Sequence, residues 1–315
     1  MKKMITVIAP MYNESEGAEK YAEVTLAVLK QIEDMYDYEI LFVNDGSKDD
    51  TYKKQLLIQK NNPEHVGVVN LTRNFGLEGA VHAGLSKAQG DVMIVMDADL
   101  QDPPLLILEM VKKWEAGADV VIASRASRKK DSFVKRTTAD LYYKILDSLS
   151  GKLKLERSAA NYRLLSRKAV DTLLSLPEVN TYFRVDVPYI GMKTDVVEYE
   201  RDLRFAGKTK YNFKSLIGCA FDGLTSISVV PLLKLTQLPI IPIFTFIASI
   251  ICIIFCPEKT KSIAWNGLLL SFFFFFVFMA IAVIGQYIAQ IMLETRGRPV
   301  SIVYEYNPSK TAGKR

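Results

Sequence analysis

The chain has 315 residues, room for one large domain or two ordinary ones, and its 40 Lys and Arg against 35 Asp and Glu give a formal charge of +5. That modest excess fits a protein resting on an anionic leaflet and gives no support to a nucleic-acid-binding face. Hydrophobic residues make up 49% of the chain, and a mean hydropathy of +0.11 is high for a purely soluble enzyme.

The N-terminus opens Met1-Lys2-Lys3 and turns apolar, as a signal peptide would. The run Met4–Pro10 is too short for one, however, and Asn13-Glu14 closes it without a small-residue cleavage site, so it reads as a first β-strand. From there short, β-branched apolar runs alternate with helical stretches. Strands are expected at Thr6–Ala9, Glu39–Asn44, His65–Leu71, Asp91–Asp97 and Asp119–Ser124, with helices at Ser15–Glu33, Asp50–Asn61, Gly76–Ala88 and Pro104–Ala116 between them. The alternation predicts an α/β fold, a Rossmann-like, doubly wound and mostly parallel sheet, which binds its ligands beyond the carboxyl ends of the strands.

Past Pro231 the pattern breaks. From Lys210 to Lys234 the apolar residues Phe213, Leu216, Ile217, Ala220, Phe221 and Leu224 recur at helical spacing, which predicts an interfacial amphipathic helix; an ordinary core-facing helix has the same periodicity. Leu235–Pro257 and Ser262–Leu293 then contain no charged residue, and each exceeds the roughly 20 residues that cross a hydrocarbon core. The short connection Glu258–Lys261 makes them a transmembrane hairpin, at about 235–257 and 263–289. Cations flank both ends: Arg201, Arg204, Lys208, Lys214 and Lys234 before it, Arg296, Arg298, Lys310, Lys314 and Arg315 after it. The positive-inside rule therefore puts the catalytic domain and both termini in the cytoplasm. The expected organisation is a catalytic domain over 1–210, the amphipathic segment 211–234, the hairpin 235–293 and a cytoplasmic tail 294–315. Cys219, Cys252 and Cys256 show no metal spacing and read as packing residues in a reducing compartment.

The strongest chemical signal is Asp97-Ala98-Asp99-Leu100-Gln101-Asp102-Pro103-Pro104, directly after the fourth expected strand. Asp97 and Asp99 are two apart, so in extended backbone their carboxylates project to one side. Such anions repel unless a cation lies between them, and hard oxygen ligands with open positions suit Mg²⁺ or Mn²⁺ shared with substrate phosphates. After the first strand comes Pro10-Met11-Tyr12-Asn13-Glu14, able to stack on and hydrogen-bond a nucleotide base, although Asn13-Glu14-Ser15 also fits a helix N-cap. After the second comes Asn44-Asp45-Gly46-Ser47, where Gly46 allows a sharp turn and Asp45 is placed to accept a hydrogen bond from a base or ribose. Arg73 follows the third strand as a candidate phosphate contact or a solvated loop arginine. Past the fifth lies a cationic run with Arg125, Lys135 and Arg136, which is either a solvated surface or a site for an anionic acceptor headgroup. Arg204-Phe205-Ala206-Gly207-Lys208-Thr209-Lys210 joins a flexible glycine to cations that could close over a diphosphate or serve only as juxtamembrane charge. His65 and His82 read as structural, no nucleophilic triad is visible, and no Gly-Lys-Ser/Thr or Gly-x-Gly-x-x-Gly loop follows a strand.

In this order and spacing, the motifs at Pro10–Glu14, Asn44–Ser47, Arg73–Gly76 and Asp97–Pro104 resemble the family 2 inverting glycosyltransferases of GT-A fold, and more narrowly the group of dolichol-phosphate mannose synthases and bactoprenol glucosyltransferases. The likeness extends over nearly the whole chain, through the hairpin to Arg296-Gly297-Arg298-Pro299. It implies a nucleotide-sugar donor held by Pro10, Tyr12, Asn13, Glu14, Asp45 and Arg73, with Arg204 and Lys210 over the diphosphate. It implies metal and donor binding by Asp97, Asp99 and Gln101, acceptor phosphate binding by Arg125, Lys135 and Arg136, and a homo-oligomer. One position departs: the group carries Asp-Phe-Arg where this chain has Asn161-Tyr162-Arg163. Asn161 cannot take a proton at neutral pH, but a phosphate acceptor has a second pKa of about 6 and is already mostly anionic, so it needs no base.

The expected activity is therefore inverting transfer of a hexose or N-acetylhexosamine from a UDP- or GDP-sugar to polyprenyl (undecaprenyl) phosphate at the bilayer. A processive polysaccharide synthase would carry Gln-x-x-Arg-Trp, and neither tryptophan, Trp114 or Trp265, follows an arginine. A non-catalytic paralogue that binds nucleotide sugar or partners a flippase is the alternative that Asn161 favours.

Overall fold

In the computed structural model, residues 2–125, 159–178, 181–200 and 259–314 are described. Lys135, Arg136, Arg204, Lys210, the amphipathic segment 211–234 and the first expected span 235–257 lie outside them.

Strand β1 (Lys3–Met11) is buried from Met4 onward and β2 (Tyr36–Asn44) is buried over nearly its whole length. Strands apolar on both sides are stable only inside a sheet covered on both faces. Both run beyond the expected Thr6–Ala9 and Glu39–Asn44, because burial on both faces continues past the most apolar core of each run. They are joined by β3 (Val66–Leu71), the short β4 (Val92–Val95), β5 (Val120–Arg125), β6 (Ala159–Ser166), β7 (Thr194–Tyr199) and β8 (Val303–Asn307). Among the described residues these form one sheet in the order β7-β5-β6-β4-β1-β2-β3-β8. The pairs β1–β2, β1–β4, β2–β3 and β5–β7 are parallel, whereas β6 runs antiparallel to both β4 and β5, and β8 antiparallel to β3. The strands β6, β7 and β8 extend the mixed sheet beyond the five expected from the sequence.

Helices α1 (Ala18–Leu29), α2 (Thr51–Asn61) and α4 (Leu106–Glu115) flank one face, and α3 (Gly76–Lys87), α5 (Arg167–Leu174) and α6 (Phe183–Tyr189) the other. On the first face Ile5, Val7, Phe42, Ile94 and Tyr162 pack against Tyr21, Leu29, Ile107 and Met110. On the second, Ile8, Val43, Val95 and Leu165 meet Ala80, Leu85, Val170 and Phe183. Burial at about 25 cal/mol per Å² of apolar surface is the main force holding these layers together.

Helix α7 (Lys259–Arg296) is a single 38-residue helix, about 57 Å long at 1.5 Å per residue. It contains the second expected span, 263–289, and continues past it. Its segment Phe275–Arg296 has a mean hydropathy of 2.0 and is hardly covered by the rest of the protein; by length and composition it is the one helix among the described residues able to cross a membrane. Gly297 then turns the chain at φ 56°, and the following residues return to the sheet as β8. The segment expected as a cytoplasmic tail thus supplies an edge strand of the catalytic sheet.

Candidate active site

The loops after β1 and β2 are sewn to each other. Asn13, at φ 52°, donates its backbone N–H to Ser47 Oγ at 3.0 Å and accepts the Lys48 N–H on its side-chain carbonyl at 2.8 Å. One turn further, the N–H of Glu14 donates to Thr51 Oγ1 at 2.9 Å and that of Ser15 to Asp49 at 3.3 Å. Burial alone would raise the Asp49 pKa, but hydrogen bonds from Thr51 and Ser15 hold it below the usual carboxylate value. Helix α1 begins only at Ala18, behind Gly17. Asn13 and Ser15 are therefore not its N-cap; they shape a loop wall in which Tyr12, Asn13 and Glu14 are half-buried and Pro10 is buried in β1.

Asp45 is bonded to the loop that follows β3. It is 3% exposed, and its carboxylate accepts the side-chain amide of Asn74 at 2.8 Å and the backbone N–H groups of Phe75 at 2.6 Å and Gly76 at 3.0 Å. A carboxylate at the start of α3 satisfies donors that the helix leaves unpaired and complements its dipole. Burial raises the Asp45 pKa to about 6, against the lowering effect of the Phe75 and Gly76 N–H groups and Arg73. Gly46 makes this close approach possible: it stands at φ +63°, and a Cβ there would lie 2.4 Å from the backbone carbon of Arg73. Arg73 itself is exposed on the rim, its guanidinium 4.0 Å above the Phe75 ring and donating to the Asn74 carbonyl at 2.9 Å.

The acidic motif sits one strand over. β4 stops at Val95, so Asp97 lies past the strand end and Asp99 in the turn that follows, not both on the extended backbone expected for them. Leu100 reverses the chain at φ 54°, and the backbone N–H of Gln101 donates to Asp99 Oδ1 at 3.1 Å. Both acids are half-buried, and the charge of Asp97 contributes to raising the pKa of Tyr21 and of Glu78, each raised chiefly by burial. Among the described residues no group of three or more His, Cys, Asp or Glu side chains converges on one point. Two hard carboxylates with the remaining positions left to substrate oxygens suit Mg²⁺ or Mn²⁺, which keep few protein ligands. The neighbouring Asp102 is fully buried and accepts the hydroxyl of Tyr199, on β7, which anchors the acidic loop to the far half of the sheet.

On that far half, Val95 and Arg163 form the last pair of the antiparallel β4–β6 ladder, with Asp97 two residues beyond Val95 and Asn161 two residues before Arg163. Arg125 ends β5, paired with Tyr199. Asn161 is 8% exposed, and its side-chain oxygen accepts Nε of Arg184 at 2.9 Å. Arg163, 2% exposed, donates to the Phe183 carbonyl at 2.9 Å and lies over the Phe183 ring. Glu78 accepts the Phe183 N–H at 2.8 Å and Asp186 the Tyr182 N–H at 2.7 Å. Sequence reasoning passed over Glu78, Arg184 and Asp186, because isolated charges on helices carry no signal until the sheet gathers them. A shallow cleft open to solvent lies between α3 and α5, lined by Glu78, His82, Leu85, Leu173 and Asp186 among others.

The carboxyl edge of the sheet is thus divided by the acids of the β4 loop. Base-sized and polar groups from β1, β2 and β3 stand on one side; Asn161, Arg184 and the end of β5 stand on the other. Comparison with known proteins gives the family and the fold. The model of the family described as Glycosyl transferase family 2 matches residues 6–174. A prophage bactoprenol glucosyl transferase homolog of Escherichia coli (strain K12) is 35% identical over 310 residues, covering 95% of this chain and 98% of that protein. The bactoprenol glucosyl transferase of Shigella phage SfX is 36% identical over 306 residues, with 94% and 97% covered. Among solved structures, glucosyl-3-phosphoglycerate synthase from Mycobacterium tuberculosis, in complex with Mn²⁺, uridine diphosphate and phosphoglyceric acid, shares the fold, with a TM-score of 0.50, 18% identity and coverage of 71% of this chain and 76% of that one. With its motifs at the strand ends where these loops converge, the chain belongs to glycosyl transferase family 2.

Proposed function

We propose that the protein transfers a hexose or N-acetylhexosamine from a UDP- or GDP-sugar to a polyprenyl phosphate, of the undecaprenyl type, in one inverting displacement at the cytoplasmic face of the cell membrane. The product is a lipid-linked sugar donor for cell-surface glycan modification. The observation that carries this reading is the division of the sheet edge at Asp97 and Asp99, with nucleotide-sized loops on one side and arginine-bearing elements on the other. The bactoprenol names of relatives that match nearly the whole chain support the acceptor class.

Pro10, Tyr12, Asn13, Glu14, Asp45 and Arg73 hold the nucleotide side, Asp45 by shaping the loop, and Arg204 and Lys210 close over the diphosphate. Arg125, Lys135 and Arg136 take the acceptor phosphate. Asp97 and Asp99, with Gln101 beside them, would hold Mg²⁺ or Mn²⁺, which when bound offsets the charge that builds on a departing diphosphate. An acceptor phosphate oxygen attacks the anomeric carbon while the sugar–diphosphate bond breaks. With a second pKa of about 6 that phosphate is mostly anionic at neutral pH, so Asn161 need not act as a base, and the rate derives from positioning and charge stabilisation. A two-helix hairpin, with α7 as its second member, and the amphipathic segment 211–234 keep the site at headgroup depth, where such an acceptor presents its phosphate.

Transfer of radiolabelled sugar to undecaprenyl phosphate, across a panel of UDP- and GDP-sugars with and without Mg²⁺ or Mn²⁺, tests the reading. Wild-type transfer that is abolished in Asp99→Ala supports it. Absence of transfer from every donor under every metal condition sinks it in favour of a non-catalytic nucleotide-sugar-binding paralogue.

A further inference from the structure

Toward their carboxyl ends β2 and β3 each carry an asparagine in an otherwise apolar run, Asn44 and Asn70. The two stand level with each other, and Asn70 stands level with Glu305 of β8, so the three form one row across the sheet. Phe42 and Val68, two residues earlier on their strands, belong to the core on the face that α2 covers. The alternation of a strand puts Asn44 and Asn70 on that same face, where they meet Tyr52 of the first turn of α2.

The bonds along this row all point one way. The Asn13 N–H donates to Ser47 Oγ at 3.0 Å, the Ser47 N–H to Asn44 Oδ1 at 3.3 Å, and Asn44 Nδ2 to Asn70 Oδ1 at 2.7 Å. Asn70 is hydrogen-bonded to the Tyr52 hydroxyl and lowers its pKa, as a donor to the phenol oxygen does. That hydroxyl donates in turn to Glu305 Oε2 at 2.7 Å. Burial, and then the bond to Glu305, push Tyr52 up to about 12, so it remains a donor at neutral pH. Aligned hydrogen bonds polarise one another, and a carboxylate at the accepting end strengthens the set. Asn44 is 3% exposed, and with both ends of its amide engaged it is held in one orientation. The next residue along, Thr51, takes the Glu14 N–H at 2.9 Å, so the first turn of α2 holds the loop after β1 by two routes.

We propose that Asn44, Asn70 and Tyr52 are positioning residues for donor binding: they fix the wall formed by residues 12–14, against which the nucleotide is held, and anchor it to Glu305 on the strand that follows α7. This rests on the reading of that wall as the nucleotide side of the site. It makes donor affinity depend on a residue that lies beyond the apolar helix.

The test uses the full chain in detergent, with UDP and GDP titrated calorimetrically in the presence of Mn²⁺ and the KM for undecaprenyl phosphate measured beside them. Loss of one hydrogen bond is worth about 2- to 10-fold in an equilibrium. Asn70→Ala and Tyr52→Phe are each expected to weaken the nucleotide that the wild type binds by about that factor, with the acceptor KM within about twofold. As links of one chain they are expected not to multiply, so the double variant binds about as Asn70→Ala does. Ser309→Ala, which loosens the C-terminal segment at Glu39, farther back along β2, is expected to lower the melting temperature and leave nucleotide affinity unchanged. Unchanged affinity in Asn70→Ala or Tyr52→Phe overturns the proposal, as do losses that multiply in the double variant. An equal loss in Ser309→Ala overturns it too, by showing that any loosening of the sheet has the same effect. If the wild type binds neither UDP nor GDP, the reading of the wall has failed and the proposal falls with it; wild-type binding with the wrong variant pattern overturns the proposal alone.

Discussion

Ser309 donates its hydroxyl to Oε2 of Glu39 at 2.6 Å, so a residue beyond the long apolar helix is bonded into the second strand of the sheet. Glu39 is fully buried, and its other oxygen accepts the Thr6 hydroxyl at 2.9 Å. The two hydroxyls are themselves held, Ser309 by the Ala312 N–H and Thr6 by the Gly90 N–H, each at 3.1 Å. A buried carboxylate that loses one of its donors has its desolvation cost less well offset.

Ser309→Ala is accordingly expected to destabilise the folded domain by about 1–3 kcal/mol, a fall of several degrees in melting temperature at roughly 2–4 °C per kcal/mol for a domain of this size. Thermal unfolding followed by circular dichroism in detergent measures it. An unchanged midpoint would mean that Glu39 needs no partner from the C-terminal segment.

At the donor loops the sensitive position is Gly46. A methyl group there meets backbone at 2.4 and 2.5 Å, and backbone cannot swing aside as a flexible side chain can. The positive φ adds strain of order 1–3 kcal/mol for a residue with a side chain. Gly46→Ala should push the β2 loop off the Arg73–Asn74 backbone, break the Asp45 bonds to Phe75 and Gly76, and raise the KM for the nucleotide sugar. Steady-state kinetics with the acceptor saturating would show it; a wild-type donor KM argues that the two loops do not form the donor wall together.

The parallel strands were readable because each is a short β-branched run buried on both faces, as in Val66–Leu71 and Val92–Val95. β6 was not, since Asn161-Tyr162-Arg163 looks like loop until Arg163 is seen inside, bonded to the Phe183 carbonyl. β8 was hidden for another reason: its partner β3 lies more than two hundred residues earlier, and Tyr304 and Glu305 are exposed as edge residues are. Of the site, the strand-end position of Asp97 and Asp99 was legible, but not that their backbone turns. Asp45 was placed correctly in its loop while its partners, Asn74 to Gly76, could be identified only once β2 and β3 were seen side by side.

Asp186 offers a test by pH. Burial raises its pKa to about 7, the Tyr182 N–H opposes the rise, the charges of Glu78 and Glu178 add to it, and Arg163 opposes it. A carboxyl whose pKa is higher folded than unfolded binds protons more readily in the folded state. Its stabilising contribution is therefore complete below the unfolded pKa near 4 and is lost as pH rises toward 7. Melting temperature should fall across that window in the wild type. Asp186→Asn keeps an oxygen for the Tyr182 N–H and removes the titration, so its decline should be shallower and its midpoint at pH 8 higher than wild type. Parallel curves for the two proteins would show that Asp186 is ionised throughout.

The motifs proposed for donor and acceptor binding all lie before residue 211, yet the sheet that carries them needs the C-terminal segment. Removing residues 301–315 takes away β8 and with it the Tyr52–Glu305 bond at 2.7 Å, the Gln59 bond to the Asn307 carbonyl at 2.8 Å and the Tyr306 bond to the Lys87 carbonyl at 3.2 Å. It also releases the Thr72 N–H, one residue before Arg73, from the Ile302 carbonyl. β3 would then be an uncovered, apolar edge, the feature natural sheets avoid because it recruits other chains. Such a truncation should aggregate on extraction and elute in the void volume of a sizing column, whereas substitution of the exposed Tyr304 by Thr, which keeps the strand, should elute as wild type. Recovery of a well-folded truncated protein that still binds donor would refute the view that the segment after α7 is a working strand of the catalytic domain, and with it the idea that the exit of the apolar helix is tied within a few residues to the loop that carries Arg73.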